Sequence, residues 1–165
     1  MNIQIEPILL EHSHTFTQLL NLYNYDFTEY TNNDINENGY FHGDSISILT
    51  NNKLHSFFVR VNEKLAGFVI VGKGGYRYLN DESAHNINQF FVMKKYRKNG
   101  VGKFMAEAAL NMFKGKWEVC QVQNNIPARN FWKSVIAEYT KSNYQECGTE
   151  NDKMVGFIFS NANEK

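Results

Sequence analysis

The residues best suited to chemistry form a basic, glycine-containing turn in the middle of the chain. The turn comprises Arg97, Lys98, Asn99, Gly100, Val101, Gly102 and Lys103. It follows an apolar run and precedes a segment with helical periodicity. Glycines at a helix start let a bulky group approach the free backbone N–H groups. Those N–H groups, the helix dipole and the basic side chains all favour an anion. The turn is therefore predicted to bind phosphate groups.

The segment after the turn has the spacing of an amphipathic helix. Apolar residues recur at i, i+3, i+4 and i+7, which is typical of a helix with one buried face. The predicted buried stripe comprises Val101, Phe104, Met105, Ala108, Met112 and Phe113.

Two familiar phosphate-binding loops do not fit this turn. A nucleoside-triphosphate loop needs a hydroxyl residue after its lysine, whereas Phe104 follows Lys103. A dinucleotide-binding G-x-G-x-x-G pattern needs a third glycine where Met105 stands. The pattern that does fit is R-x-x-G-x-G.

The R-x-x-G-x-G pattern resembles the pyrophosphate-binding loop of the GNAT superfamily of N-acetyltransferases. The flanking segments follow the superfamily's order, since two predicted strands, at 54–61 and 65–72, form a hairpin before the turn. A strand at 117–123 and a second helix follow it. That helix opens with Asn-x-x-Ala at Asn125, and Asn124 and Asn125 are both candidate caps for it. The resemblance covers about residues 54–144.

The resemblance implies that acetyl-coenzyme A is the cosubstrate and that its acetyl group passes directly to an amine in a ternary complex. The residues implied in cofactor binding are Phe90, Phe91, Val92, Arg97, Lys98, Asn99, Gly100, Val101, Gly102, Lys103 and Asn125. A backbone N–H near Phe91 or Val92 is expected to polarise the thioester.

The chain departs from the superfamily's pattern at both proton-transfer positions. Many relatives carry a glutamate base on the strand before the turn, where this chain has Asn86, Asn88 and Gln89. His85 is the ionisable residue on that stretch and is the candidate base. Many relatives also carry a tyrosine acid where this chain has Trp132. The general acid is therefore unassigned.

Three readings stay open on these residues. The first is an acetyltransferase that works chiefly by positioning its substrates. The second is a non-catalytic module that binds coenzyme A or acetyl-coenzyme A as a sensor or structural ligand. The third is an unrelated α/β domain. We favour the enzyme, because members of the superfamily often lack one of the proton-transfer groups.

The amino-terminal third is expected to form the acceptor side. A helix is predicted through Phe16 to Tyr30, with Ser13 or Thr15 as its cap. Carboxylates among aromatic rings suit a cationic amine. The substrate-binding candidates are accordingly Tyr25, Asp26, Glu29 and Tyr30. The acceptor bears an amine and is a small molecule or a peptide.

The expected fold is a single domain of the α/β (α+β) class. Its sheet is mixed and mostly antiparallel, with six or seven strands and helices on both faces. Residues 1–50 form the acceptor side, 54–144 the acetyl-coenzyme A-binding core, and 145–165 the terminal strand and tail. The last two strands are predicted at 138–146 and 154–159, and the second could lie at a dimer seam. Monomer and homodimer both stay open.

Composition limits the other classes of partner. The chain has 17 Lys and Arg against 17 Asp and Glu, which gives no overall field for nucleic acid or an anionic membrane. No segment has the roughly 20 apolar residues that span a bilayer, and the amino terminus does not read as a signal peptide. The two cysteines lack metal-ligand spacing, so no metal is expected. Cytoplasmic location follows as the expectation.

Overall fold

The computed structural model describes residues 1–41 and 43–162, and within them one seven-stranded sheet has the order β1-β2-β3-β4-β5-β7-β6. The strands are β1 Ile3–Pro7, β2 Leu54–Val61, β3 Lys64–Lys73, β4 His85–Val92, β5 Lys116–Val122, β6 Gln145–Cys147 and β7 Met154–Ser160. Every neighbouring pair is antiparallel except β4 and β5. The predicted fold class is confirmed.

Helices cover both faces of the sheet. They are α1 Ser13–Phe27, α2 Ser45–Thr50, α3 Val101–Met112 and α4 Ile126–Tyr139. Strand residues alternate between the faces, so Phe58 and Phe68 pack under α1 with Phe16, while Val59 and Val69 belong to the core under α3 and α4. We call these the α1 face and the α3 face.

The two parallel strands, β4 and β5, separate soon after they meet. They pair only at His85 with Trp117 and Asn86 with Glu118. On its other side β4 carries a bulge at Asn88, because the register against β3 shifts between Ile70 and Val71. Beyond Asn86, the β5-facing edge of β4 therefore pairs with no strand in the described part of the chain. We call this opening the splay.

The buried stripe of α3 differs from the predicted one. Val101 and Met105 are fully buried as expected, but Phe104 and Met112 are exposed. Ala106, Ala109 and Leu110 take the buried positions instead. The buried stripe is therefore rotated relative to the predicted one.

Two other predictions were wrong. The segment 138–146 is not one strand, because α4 runs to Tyr139 and only Gln145–Cys147 is extended. Lys141 and Ser142 between them have positive φ angles of 53° and 65°, which ends the helix in a turn. Helix α1 begins at Ser13, and no side chain caps it. The sequence predicts a polar loop or a broken second helix over 31–44, and α2 begins directly after that segment, at Ser45.

Two predicted regions extend outside the described residues. The polar loop after α1 includes His42, and the carboxy-terminal tail includes residues 163–165. Among the residues that are described, no helix has the length and apolarity needed to cross a membrane.

Candidate functional site

The basic, glycine-containing turn forms an open helix entrance. Gly100 is the N-cap of α3, with a φ of +79° and no side-chain cap hydrogen bond. The first backbone bond of the helix runs from the Phe104 N–H to the Gly100 carbonyl over 3.0 Å. The N–H groups of Val101, Gly102 and Lys103 therefore precede the helical ladder and are free for a ligand. A Cβ on Gly100 would meet nothing within 4 Å, so the approach to these donors is clear.

The second glycine of the turn serves a different purpose. A Cβ on Gly102 would lie 3.2 Å from Cε2 and 3.3 Å from Cζ of Phe131. Gly102 thus lets α3 approach the ring from α4, whereas Gly100 allows the left-handed backbone and leaves the entrance open.

The basic side chains of the turn divide into paired and unpaired groups. Arg97 Nε donates to the Val92 carbonyl over 2.6 Å, and its guanidinium pairs with Asp26 on α1, which Lys94 also approaches at 3.5 Å. Lys103 pairs with Glu138. Lys98 is exposed and forms no salt bridge among the described residues. The structure thus joins a predicted cofactor residue, Arg97, to a predicted substrate residue, Asp26.

The open edge of β4 presents backbone groups to the splay. The Met93 N–H donates to the Ala66 carbonyl on β3 over 2.8 Å. Because backbone groups alternate sides along a strand, the N–H of Phe91 also points towards β3, while the N–H groups of Phe90 and Val92 point into the splay. The N–H groups positioned to polarise a thioester there are those of Phe90 and Val92.

Aromatic rings and two amides border the splay on the α3 face. The rings of Phe90, Phe131 and Trp132 lie within 4.8–5.6 Å of one another between centroids. Asn125 caps α4 as predicted, since its Oδ1 accepts from the Ala128 N–H over 3.1 Å. Gln121 is 5% exposed, and its Oε1 is buried with no donor in the described structure.

A cavity of about 250 Å³ opens beside the splay on the α1 face. We call it the α1-face cavity, and its walls are Tyr23, Tyr76, Ile87, Asn88, Gln89, Cys120 and Met154. The Oε1 atom of Gln89 is buried and has no donor among the described residues. Buried acceptors without donors therefore occur on both sides of the splay, at Gln121 and at Gln89.

Two groups that could ionise in this cavity keep their protons. Burial raises the pKa of Tyr23 well above its usual value, and Tyr76 across the cavity adds to the shift. Burial and the adjacent Glu118 likewise raise the pKa of the Cys120 thiol. That thiol donates to Glu118 Oε1 over 3.2 Å. Because the thiolate is the nucleophile, Cys120 is not an activated one.

Glu118 is a fully buried carboxylate beneath the loop between β3 and β4. Its Oε1 accepts the N–H groups of Arg77 and Tyr78 over 2.7 and 2.8 Å. Its Oε2 accepts those of Tyr76 and Leu79 over 2.8 and 3.1 Å. Burial alone would raise the pKa of Glu118, but these donors outweigh it and lower the pKa overall. Glu118 fixes the loop that carries Tyr76 and is a poor base.

His85, the predicted candidate base, lies away from the α1-face cavity. It packs on the α3 face, with its ring 5.3 Å from each of Phe113 and Trp117 between centroids. Burial lowers its pKa. It occupies the start of β4, whereas Asn88 and Gln89 reach the cavity from the other face. The structure does not bring His85 together with the cavity residues.

The predicted substrate residues on α1 do not line the cavity either. Tyr25 is 66% exposed, and Asp26 is paired with Arg97. Burial and neighbouring Glu29 raise the pKa of Tyr30, which lies beyond the end of α1. The residue of α1 that does reach the cavity is Tyr23. Tyr23 recurs at helical spacing with the core residues Phe16 and Leu20, so spacing alone would place it in the core.

Comparisons with known proteins agree with this geometry. The sequence matches the model of the acetyltransferase (GNAT) family over residues 16–135. No functionally curated protein matches it.

Solved structures share the fold at low sequence identity. An acetyltransferase from Thermus thermophilus aligns with a TM-score of 0.68 at 10% identity, over 97% of each chain. An aminoglycoside acetyltransferase from an uncultured soil metagenomic sample aligns at 0.61 and 19% identity, over 81% of this chain and 86% of that one. AAC(6')-Iy, solved with the bisubstrate analogue CoA-S-monomethyl-acetylneamine, aligns at 0.59 and 12% identity, over 82% and 90%.

Proposed function

Because the chain belongs to the acetyltransferase (GNAT) family, we propose that it transfers the acetyl group of acetyl-coenzyme A to a primary amine in a ternary complex. The observation that carries the proposal is the splay between β4 and β5. The helix entrance predicted to bind phosphate follows β4 in the chain, and residues of the same strand line the α1-face cavity. A thioester placed in the splay would meet an amine held in that cavity.

The residues around the splay fit coenzyme A in chemical type. The N–H groups of Val101, Gly102 and Lys103, with the unpaired Lys98, suit the pyrophosphate. The open edge of β4 offers backbone donors and acceptors to the amide-containing arm. We keep Phe90, Phe91, Val92, Asn99, Gly100 and Asn125 among the proposed cofactor contacts.

Acetyl-coenzyme A supplies the activated thioester, and the chain supplies orientation, polarisation and a proton. The N–H of Phe90 or Val92 stabilises the oxygen that becomes negative during attack. We assign the Tyr23 hydroxyl, which lines the cavity, as a proton relay: it gives its proton to the leaving thiolate and takes up the proton that the attacking nitrogen loses as the amide forms. The described wall contains no carboxylate or imidazole. The amine therefore reacts after losing its proton to water.

The acceptor classes open to test include those named for structural neighbours. Two of the neighbours described above act on aminoglycosides or were solved with an acetylated aminoglycoside analogue. At these identities the likeness concerns the fold, so aminoglycosides are one class among several for this chain.

Thermal unfolding with acetyl-coenzyme A tests the binding half of the proposal. Ligand at 100 times its dissociation constant adds about 2.7 kcal/mol, which raises Tm by roughly 5–11 °C for a domain of this size. Lys98→Glu should remove most of this rise. Lys141→Glu is the matched control, since both lysines are exposed with positive φ angles, of 62° and 53°.

Turnover is then measured by free-thiol release and mass spectrometry of the amine products. Acetylated amine together with the Lys98-dependent rise supports the enzyme. A rise in Tm without any product from a broad amine panel would indicate a coenzyme A-binding module instead of an enzyme. No rise at saturating ligand would refute both.

A further inference from the structure

We infer that the acceptor is a multiply charged amine, with a second ammonium group held outside the α1-face cavity by the amino-terminal part of the chain. The inference rests on the proposed function and names the substrate class of that site. It follows from the division of charge along the chain and from the places of the acidic side chains in the structure.

Charge is divided unevenly between two parts of the sequence. Residues 1–52 contain seven Asp and Glu and no Lys or Arg, whereas residues 53–165 contain ten Asp and Glu and all 17 Lys and Arg. The first part therefore has an excess of seven negative charges and the second an excess of seven positive charges, although the whole chain is neutral. An asymmetry of this kind attracts ligands of opposite sign to the two parts.

The two parts supply the two sides of the proposed site. The positive part contains the entrance of α3, and coenzyme A brings the phosphate groups that suit it. The negative part contains β1, α1, α2 and the segment that connects the two helices. Helix α1 lines the α1-face cavity through Tyr23. An acceptor that enters this cavity therefore meets the negative part of the chain, which favours a cation.

The acids nearest the cavity follow Tyr23 along the carboxy-terminal end of α1. Asp26 and Glu29 come three and six residues after Tyr23, and six residues span about 9 Å along a helix axis. That distance is about the length of an extended six-carbon diamine. Asp26 is paired with Arg97 and Lys94, whereas Glu29 is exposed and forms no salt bridge among the described residues. An amine placed at Tyr23 would therefore have its second ammonium group within reach of Glu29.

Further exposed carboxylates lie on the segment that connects α1 to α2. None of them pairs with a cation in the described part of the chain, and they are Asp34, Glu37 and Asp44. Amide side chains hold this segment in place: Asn36 accepts the Tyr40 N–H, and Asn21 on α1 accepts the Phe41 N–H, each over 3.0 Å. The negative charge of the acceptor side is thus uncompensated, and each additional ammonium group of a ligand is attracted to it.

The cations that approach this side from the rest of the chain are mostly held by acids. Lys94 and Arg97 are held by Asp26. Arg77 is different, because it lies beside the cavity residue Tyr76 in the β3–β4 loop, is exposed and forms no salt bridge among the described residues. Its charge opposes a cationic acceptor, so removing it should strengthen the preference for multiply charged amines.

The test compares two amines of matched length that differ in charge, hexane-1,6-diamine and 6-amino-1-hexanol, with the full chain and saturating acetyl-coenzyme A. Counted per amine group, kcat/KM at low ionic strength should be about fivefold higher or more for the diamine, the upper end of the scale for one exposed charge pair. In about 1 M salt the ratio should fall towards one, because the Debye length is then about 3 Å. Spermidine and kanamycin are further probes that distinguish a linear polyamine from an amino sugar.

Charge variants locate the effect on the amino-terminal part. Glu29→Gln combined with Glu37→Gln should lower the diamine-to-aminohexanol ratio about threefold, with unchanged affinity for acetyl-coenzyme A. Glu146→Gln combined with Glu150→Gln is the matched control, because it removes the same charge from two exposed residues of the positive part. Arg77→Gln should change the ratio in the opposite direction.

The outcomes separate this inference from the proposed function. Equal kcat/KM for the two amines, or acetylation of aminohexanol without acetylation of any multiply charged probe, would overturn the inference and leave the transferase intact. A preference for the diamine that Glu29→Gln with Glu37→Gln leaves unchanged would also overturn it. No product from any of these probes or from a broad amine panel, with acetyl-coenzyme A bound, would overturn the transferase and the inference together.

Discussion

Replacing Glu118 by glutamine should loosen the loop between β3 and β4 without changing the shape of the side chain. The carboxylate accepts four backbone N–H groups, two on each oxygen. In Glu118→Gln one oxygen becomes an NH₂ group, which cannot accept. Two N–H groups of the loop then lose their acceptor and face a donor instead.

The expected loss of stability follows from those two bonds. Leaving a buried donor unsatisfied costs about 1–3 kcal/mol for each group, so the free energy of unfolding should fall by about 4 kcal/mol. For a domain of this size the melting temperature then falls by roughly 8–16 °C. Glu82→Gln is the control, because Glu82 lies exposed in the same loop and surface changes of this kind usually stay within about 0.5 kcal/mol.

Calorimetry and amide hydrogen exchange together test this reasoning. Calorimetry measures the loss of stability, and exchange measures whether the N–H groups of residues 76–79 lose protection. A melting temperature for Glu118→Gln equal to that of Glu82→Gln would refute the energetic argument. Unchanged protection at residues 76–79 would refute the assignment of Glu118 as the residue that fixes the loop.

Three further predictions concern pH, proton transfer and the link between α1 and the turn. The folded-state pKa of Glu118 is lowered, so its contribution to stability is present above the unfolded pKa of about 4.3 and is lost as pH falls through the folded value. Denaturant unfolding between pH 5 and about pH 2 should therefore show a fall in the free energy of unfolding that is smaller in Glu118→Gln. An equal fall in both proteins would contradict this prediction. Tyr23→Phe should lower kcat by about 10²-fold or more, the scale of general acid catalysis, while the Kd for acetyl-coenzyme A stays unchanged; a wild-type kcat would remove Tyr23 from the mechanism. Asp26→Asn removes the carboxylate that pairs with Arg97 and Lys94 and so frees both cations for the phosphates of coenzyme A. Coenzyme A should then bind up to about fivefold more tightly in titration calorimetry, the scale of an exposed ion pair. Weaker binding would show that Asp26 instead orients Arg97 for the ligand.

Local features of the fold could be predicted from the sequence. The limits of β2 at Leu54 and Val61 were predicted correctly, because aromatic and β-branched residues end at a short turn. Asn125 was recognised as the cap of α4, since capping depends on residues within one helical turn. The glycine-containing turn at the start of α3 was found for the same reason.

The parts of the site that depend on distant residues could not be predicted in this way. Glu118 binds a loop about 40 positions earlier in the chain, and nothing in its own segment indicates that contact. The α1-face cavity combines Tyr23, Gln89 and Met154 from three separate elements. Spacing along one helix cannot distinguish a core tyrosine from one that faces a cavity.

The central claim is direct transfer of acetyl from acetyl-coenzyme A to an amine. It is tested most directly by mixing the chain with deuterated acetyl-coenzyme A and a panel of primary amines and following both the amines and the intact protein by mass spectrometry. The account predicts labelled amide and no labelled protein during turnover, because the Cys120 thiol is protonated and bonded to Glu118. Label on Cys120 that passes to the amine would contradict direct transfer. No labelled amide from any amine of the panel would contradict the transferase itself.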